Sequence, residues 1–401
     1  MLVLLAALLA APSSAAFRRQ QTHSKAVRPD NNELAHRGFN ELYNEEYDAA
    51  IGDFEKLQAE YPNDPFPANY LSAALIFKEL SRIGALDSEA YSGNNFMDAK
   101  SRKPLDLAAQ KRIYALLARA ESLSNARLQS NPNDTDALYA RGVARGFRST
   151  YQGMAEKAWL AGVRSALAAR RDHERVLEID PAYIDAKMTV GIHNYIIGSL
   201  NWAGRAAVAL IGVTGNKQKG LQYLREVSRV QGPSSVDASM ALALFLRREQ
   251  KYSEALELVR GVSHRYPHNF LLAVEYAHLL NAAGHGREAI AEYRAILERS
   301  REGKYSIPHP ETASWGLGVS LRGQREFAEA AEAFDQIPHC CRDVEPAVID
   351  RSLLASGQMY DTLGRRDVAR ARYRQAVEGG RDNDYTAAAR KYLRRPYKFS
   401  E

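Results

Sequence analysis

Cysteine is scarce in this 401-residue chain, and its two cysteines, Cys340 and Cys341, are adjacent. A disulfide framework needs cysteines that are separated along the sequence, so such bonds do not hold this fold together. Two adjacent cysteines either form a strained vicinal disulfide or lie as two thiols in a loop. We expect the loop, and we expect both cysteines to be dispensable for stability. The alternation of apolar and polar residues that marks strands is also missing, which argues against a β-sheet.

The chain has no apolar run of the length of about 20 residues that a membrane-spanning helix needs. A shorter run, Leu2–Ala11, opens the sequence and is followed by Pro12 and by Ser14-Ala15-Ala16. This order is typical of a secretory signal peptide, although no Lys or Arg precedes the run. We therefore predict a signal peptide over 1–16, cleavage after Ala16 and a flexible segment over 17–30. The mature protein is expected to be exported to the periplasm, the cell envelope or the extracellular space.

Motifs for catalysis are absent as well. The glycine-rich stretch 212–220 contains no Gly-Lys-Ser/Thr sequence and follows no strand, so we interpret it as a turn and not as a phosphate loop. His339 stands next to the two cysteines, but three consecutive residues cannot surround one tetrahedral ion, and a fourth ligand is not evident. The sequence thus predicts no catalytic residue, no cofactor and no metal site, and the protein is not expected to be an enzyme.

What the sequence does contain is a repeated helical pattern. An aromatic residue, a small residue, two apolar residues and a proline recur with identical spacing in two places. The first copy is Tyr47, Ala50, Phe54, Leu57 and Pro62, and the second is Tyr252, Ala255, Val259, Val262 and Pro267. Fixed-period self-similarity of this kind indicates a repeat architecture.

These residues resemble the second helix of a tetratricopeptide repeat (TPR), and Gly38 and Gly357 stand where such a repeat places its first-helix glycine. The resemblance is to exported bacterial TPR proteins. It implies an all-α, TPR-like α-solenoid, a right-handed superhelix of about eight helix pairs. Irregular repeats with insertions are expected over 31–233, and regular repeats with a capping helix over 234–401. Small residues are expected at the equivalent second-helix positions Ala50, Ala120, Ala169, Gly220, Ala255, Ala289, Ala330 and Ala369.

The same resemblance implies a binding surface, because the first helices of TPR arrays line a concave groove. Counting from the first-helix glycines gives an aromatic and apolar set of partner-binding candidates: Phe39, Tyr43, Tyr139, Phe147, Met188 and Tyr195. These side chains either fill the inside of a tightly wound superhelix or form a groove for a segment of another protein. The predicted function is a non-catalytic protein–protein interaction scaffold of the cell envelope. The alternative is a carrier of an apolar or lipid-like ligand in the concave groove.

A second candidate surface is basic and lies near the C-terminus. The twelve basic and six acidic residues of 351–401 leave this stretch with a charge equal to the +6 of the whole chain. Arg366, Arg370 and Arg374 recur every four residues, so on a helix they share one face. This face is either an ordinary solvated surface or a contact for an acidic protein or an anionic lipid surface. Nucleic acid is not expected as a partner of an exported protein.

Overall fold

The computed structural model describes residues 26–28, 30–86, 103–210, 212–341 and 344–399. Within these ranges the regular structure consists of eighteen α-helices with one π-helical and one 3₁₀ turn, and no strand is present. The all-α prediction is therefore confirmed. None of the described helices combines the length and the apolarity needed to cross a bilayer. The predicted signal peptide over 1–16 lies outside the described residues.

The chain forms two compact units, Met1–Lys251 and Tyr252–Glu401. In unit 1, successive helices pack against each other along the sequence, except that α7 packs on α9 and leaves α8 outside the stack. The helices of unit 1 are α1 (Glu33–Tyr43), α2 (Tyr47–Glu60), α3 (Pro65–Arg82), α4 (Leu107–Ser130), α5 (Thr135–Thr150), α6 (Trp159–Ile179), α7 (Ala186–Gly198), α8 (Trp202–Ala209), α9 (Lys217–Ser228) and α10 (Pro233–Arg248), with a π-helical turn at Tyr151–Ala155.

Unit 2 repeats the same arrangement with shorter connections, and each helix packs on the next one. Its helices are α11 (Tyr252–Arg265), α12 (Phe270–Ala282), α13 (Gly286–Arg301), α14 (Pro310–Gly323), α15 (Phe327–Gln336), α16 (Pro346–Thr362), α17 (Arg366–Glu378) and α18 (Asp384–Arg394), with a 3₁₀ turn at Ile337–His339. The last helix, α18, contacts both α16 and α17.

Local sequence explains where these helices begin. The carboxylate of Asp64 accepts a hydrogen bond from the amide of Phe66 at 2.8 Å, and Pro65 occupies the first turn of α3. Asp134 caps α5 in the same way through the amide of Ala137 at 3.0 Å. Each cap satisfies an amide that has no partner within the helix, so these Asp residues fix the start of the helix.

The repeat register follows from close contacts between a first-helix glycine and a second-helix ring. A Cβ atom on Gly38 would lie 2.5 Å from the ring of Phe54, and one on Gly357 would lie 2.4 Å from the ring of Tyr373. All eight small residues expected in the second helices are buried. The helix pairs inside the units are α1–α2, α3–α4, α5–α6, α7–α9, α12–α13, α14–α15 and α16–α17, with α10 ending unit 1 and α11 beginning unit 2.

Candidate functional site

The predicted aromatic groove of unit 1 is filled by its own side chains. Phe39, Tyr139, Phe147, Met188 and Tyr195 are buried, each with at most 5% of its surface exposed. The burial of these five side chains favours internal packing, one of the two alternatives that the sequence left open. Their direct contact with a partner would require the helices to separate.

Two contacts explain why this inner face is closed. Tyr43, which is half-buried at the end of α1, donates a hydrogen bond to the carbonyl of Pro233 at the start of α10, at 3.1 Å. Tyr195 stacks on Phe245 of α10 with ring centroids 3.8 Å apart, and its hydroxyl donates to Glu249 at 2.8 Å. The first helix and the seventh helix of unit 1 thus both pack on its last helix.

A different surface of unit 1 holds a stretch of polypeptide without regular secondary structure, which is the protein's own segment 26–28. Ala26 and Val27 are buried although they lie in the segment predicted to be flexible. The amide of Val27 donates to the carboxylate of Asp64 at 3.0 Å, and the carbonyl of Val27 accepts from the hydroxyl of Tyr70 at 2.9 Å. Both main-chain polar groups of Val27 are therefore bound by side chains at the start of α3.

The next residue, Arg28, inserts its side chain between three aromatic rings. The guanidinium carbon lies 5.0 Å from the ring centroid of Phe66, 5.3 Å from that of Tyr183 and 6.0 Å from that of Tyr139. Aromatic faces attract a guanidinium at such distances, more strongly when water is excluded. We call this site the Arg28 pocket and define it by Phe66, Asp136, Tyr139, Tyr183 and Asp185.

Two carboxylates complete the Arg28 pocket. Arg28 makes an ion pair and hydrogen bond with Asp136, and its second terminal nitrogen lies 3.8 Å from Asp185. The hydroxyl of Tyr183 donates to Asp136 at 3.0 Å and so positions that carboxylate. Burial acts to lower the pKa of Arg28, but Tyr183, Asp136 and Asp185 raise it well above its usual value. The guanidinium is therefore held as a cation inside the protein.

The positions of these residues show what the sequence analysis missed. Of the predicted groove residues, Tyr139 is the one that lies in the Arg28 pocket. Asp136 belongs to the first turn of α5, and Tyr183 and Asp185 directly precede α7. In the sequence, these polar residues indicate only the starts of helices. Segment 26–28 has no periodic pattern that would link it to them. A weak signal was present, because carboxylates recur at the starts of α3, α5 and α7.

The three C-terminal arginines, Arg366, Arg370 and Arg374, lie on one helix but differ in their contacts. All three lie on α17, as predicted, but Arg366 binds both carboxylate oxygens of Asp361 at 3.0 Å and the carbonyl of Tyr392 at 2.7 Å. It therefore ties α17 to the end of α18. Arg370 and Arg374 are exposed, and no ion pair with them occurs among the described residues.

Comparison with known proteins identifies the repeat. The family model for the tetratricopeptide repeat matches residues 213–269 and 277–343. No curated protein matches the chain significantly.

Several solved structures are similar over much of the chain at low identity. One is from the APC/C hetero-tetramer Cut9–Hcn1, with 11% identity, a TM-score of 0.48 and coverage of 91% of this chain and 56% of that one. Another is PilF of Pseudomonas aeruginosa, with 15% identity, a TM-score of 0.38 and coverage of 65% and 99%. A repeat protein of Parabacteroides merdae has 15% identity, a TM-score of 0.32 and coverage of 81% and 97%. At these values none of them transfers a partner or a ligand to this chain.

Proposed function

Because the chain is a tetratricopeptide-repeat protein, we propose that it is a non-catalytic interaction scaffold of the cell envelope whose unit 1 binds an extended polypeptide segment. The observation that carries this proposal is segment 26–28 itself, which occupies unit 1 in the manner of a bound peptide. Its amide and carbonyl groups are bonded by side chains, and its arginine fills a pocket. Main-chain bonds of this kind give affinity, and side-chain pockets give specificity.

The chemistry of the Arg28 pocket supports a partner segment that contains an arginine. Three rings and two carboxylates match a planar, permanently charged guanidinium, which both stacks on rings and forms several hydrogen bonds. The preceding position is apolar, since Val27 is 3% exposed. We therefore expect a partner segment in which an apolar residue directly precedes an arginine. In the free protein, segment 26–28 occupies this site in place of that partner.

A peptide-exchange experiment tests the proposal on the full chain. The probe is a synthetic peptide of residues 24–32, and the protein carries Val27→Ser with Arg28→Ala, which vacates the Arg28 pocket. Calorimetry should show binding to this variant about tenfold or more tighter than to the wild type, because the wild-type segment competes in cis at an effective concentration on the order of millimolar. Circular dichroism confirms that the variant is folded.

Two matched controls make the result specific. A peptide with Arg28→Lys should bind more weakly, because an ammonium is a point charge and cannot stack or bind two carboxylates with a planar fork. Adding Asp136→Asn to the protein variant should also weaken binding. The proposed function is wrong if the folded variant does not bind the peptide, or if it binds the Arg28→Lys peptide as tightly as the peptide with arginine.

The location in the cell envelope rests on the signal-peptide pattern of Leu2–Ala16. The partner is then a protein of the same compartment. A second contact is proposed for the C-terminal end, where the exposed Arg370 and Arg374 offer positive charge to an acidic protein or an anionic lipid surface. Nucleic acid is not proposed as a partner.

An apolar or lipid-like ligand is a second candidate, and one observation favours it. Helix α8 buries none of its residues, and Trp202 is 78% exposed while Leu210, directly after the helix, is 89% exposed. Large exposed apolar side chains of this kind mark interaction surfaces. Mass spectrometry of organic extracts of the purified protein tests this candidate. Stoichiometric lipid that is lost after Trp202→Ser with Leu210→Ser would support it, and lipid-free protein would count against it.

A further inference from the structure

Unit 2 contains a cluster of thiols and a carboxylate that the function proposed above does not use. Cys340 and Cys341 follow the 3₁₀ turn after α15, and Glu311 lies in the first turn of α14. The three side chains come together although Glu311 and Cys341 are 30 residues apart in sequence. Both cysteines also line a cavity of about 800 Å³, which His339 and Pro310 help to form.

The distances within the cluster are those of potential metal ligands. The two Sγ atoms are 3.0 Å apart, and Sγ of Cys341 lies 3.3 Å from Oε2 of Glu311. One ligand atom from each of the three residues lies within 4.8 Å of the other two. Both cysteines are free thiols and are not paired elsewhere.

The surroundings hold the carboxylate in place. Only 13% of the Glu311 side chain is exposed, and its second oxygen, Oε1, lies 3.3 Å from Nδ1 of His309. Burial acts to raise the pKa of Glu311, but the contact with His309 outweighs it, so the pKa is lowered and the carboxylate stays charged. His309 is thus a positioning residue that leaves Oε2 available on the side of the thiols.

We propose that Cys340 Sγ, Cys341 Sγ and Glu311 Oε2 bind one thiophilic divalent cation such as Zn²⁺, with a fourth position open to the cavity. Tetrahedral zinc with bonds of about 2.3 Å to sulfur and 2.0–2.2 Å to oxygen places two sulfurs about 3.8 Å apart and a sulfur and an oxygen about 3.6 Å apart. The sulfur–sulfur distance of 3.0 Å and the sulfur–oxygen distance of 3.3 Å reach those values through shifts of less than an ångström. Three protein ligands and one open position are typical of zinc sites that bind a further ligand.

Binding is balanced in protons and charge. Each thiol loses its proton to the solvent as a sulfur–metal bond forms, so two protons leave for each cation bound. Two thiolates and one carboxylate then place three negative charges around the divalent ion. The bound divalent cation stabilises the two sulfurs as thiolates.

This site differs from the one that the sequence analysis rejected. That arrangement used the consecutive residues His339, Cys340 and Cys341, which cannot surround one ion. In the structure the third ligand is supplied by another helix through Glu311. The contribution of Glu311 depends on the packing of α14 beside the 3₁₀ turn, so no local sequence pattern predicts it.

Cobalt(II) absorbance tests the proposal on the full-length protein. The protein is purified under reducing conditions without metal, thiol titration counts its free cysteines, and Co²⁺ is then added. We expect two titratable thiols, one Co²⁺ bound per chain, and a sulfur-to-cobalt charge-transfer band that Zn²⁺ abolishes. Cys341→Ser should remove most of this band, and Glu311→Gln should weaken Co²⁺ binding about tenfold or more, as expected for the loss of a ligand.

Glu332→Gln is the matched control, because Glu332 lines the same cavity but lies outside the ligand cluster. It should leave the band and the affinity unchanged. Far-ultraviolet circular dichroism and the melting temperature of each metal-free variant show whether it folds. A band that survives in the folded double variant Cys340→Ser with Cys341→Ser would overturn the proposal. So would the absence of a band in reduced wild-type protein, or a cysteine pair that is isolated only as a disulfide.

Discussion

At the scale of single residues, the stability of this protein depends on glycine positions that have no room for a side chain. Gly38 faces Phe54, Gly318 faces Phe334 and Gly357 faces Tyr373, with distances from a hypothetical Cβ to the ring of 2.4–2.5 Å. The glycine lets the two helices approach, and the ring fills the space between them. Such a contact is sensitive to change on either side.

Phe54→Ala should lower the free energy of unfolding of unit 1 by about 3–5 kcal/mol, because Phe54 is fully buried and its removal leaves a cavity. Thermal and denaturant unfolding measure this loss. Gly52→Ala is the control on the same helix, since an added Cβ there meets no atom within 4 Å. Equal stability of Phe54→Ala and the wild type would show that the repeat register is wrong.

His193 should make unit 1 sensitive to acid. It is buried, its Nδ1 lies 2.8 Å from the carbonyl of Thr189, and burial lowers its pKa to about 3. The unfolded chain binds a proton on this imidazole below about pH 6.5, whereas the folded protein does not. The free energy of unfolding should therefore fall by about 2 kcal/mol between pH 6.5 and pH 5 through this residue.

Denaturant unfolding over this pH range measures the effect. In His193→Gln, the free energy of unfolding should fall less between pH 6.5 and pH 5 than in the wild type. This comparison does not depend on the stability of the variant at pH 7. His36→Gln is the control, because His36 is exposed. An unchanged slope in His193→Gln would mean that His193 is protonated in the folded protein.

At the scale of helices, much of the repeat could be predicted from sequence, because the signal is periodic and local. The pattern Tyr47, Ala50, Phe54 and Leu57 became α2, and all four of these side chains are buried. The Arg28 pocket could not be predicted in this way. It joins residues from α3, α5 and the turn before α7 to a segment without periodicity, so it depends on packing between distant parts of unit 1.

Helix α17 illustrates the same limit. The spacing of Arg366, Arg370 and Arg374 correctly places them on one helix, but the structure gives Arg366 a role in holding α18. Arg370 and Arg374, which are exposed, are the arginines of this set that can contact a partner. Charge reversal at Arg366 would disturb the fold, so a test of docking should use the other two arginines.

Arg370→Glu with Arg374→Glu should reduce binding of the protein to anionic lipid vesicles or to an acidic partner at low salt. The reason is electrostatic attraction, which is screened over about 10 Å at 0.1 M salt and about 3 Å at 1 M. Vesicle co-sedimentation at both salt concentrations measures it. Arg370→Gln with Arg374→Gln should give an intermediate result. If binding changes neither with salt concentration nor in either double variant, Arg370 and Arg374 are ordinary solvated surface.

At the scale of the whole molecule, we expect export of the protein, a repeat scaffold and a polypeptide-binding site. The first part is a prediction from Met1–Ala16 alone. Mature protein purified from the host's envelope or periplasmic fraction should begin at Phe17, as determined by N-terminal sequencing. A mature chain that keeps Met1 and stays in the cytoplasm would contradict both the export and the proposed location of the partner.

The central claim is that the Arg28 pocket receives an arginine from an extended segment, and site-specific crosslinking tests it most directly. In the full chain with Val27→Ser and Arg28→Ala, a benzoylphenylalanine replaces Ala182, which is exposed and directly precedes Tyr183. The ring of Tyr183 lies 5.3 Å from the Arg28 guanidinium carbon in the wild-type protein, and this substitution leaves that ring in place. The peptide of residues 24–32 is added and irradiated, and the crosslinked residues are mapped by mass spectrometry. We expect crosslinks centred on the peptide's arginine, and fewer crosslinks when the peptide with Arg28→Lys is added in its place. Crosslinks spread evenly along the peptide, or none at a peptide concentration that saturates calorimetric binding, would contradict it.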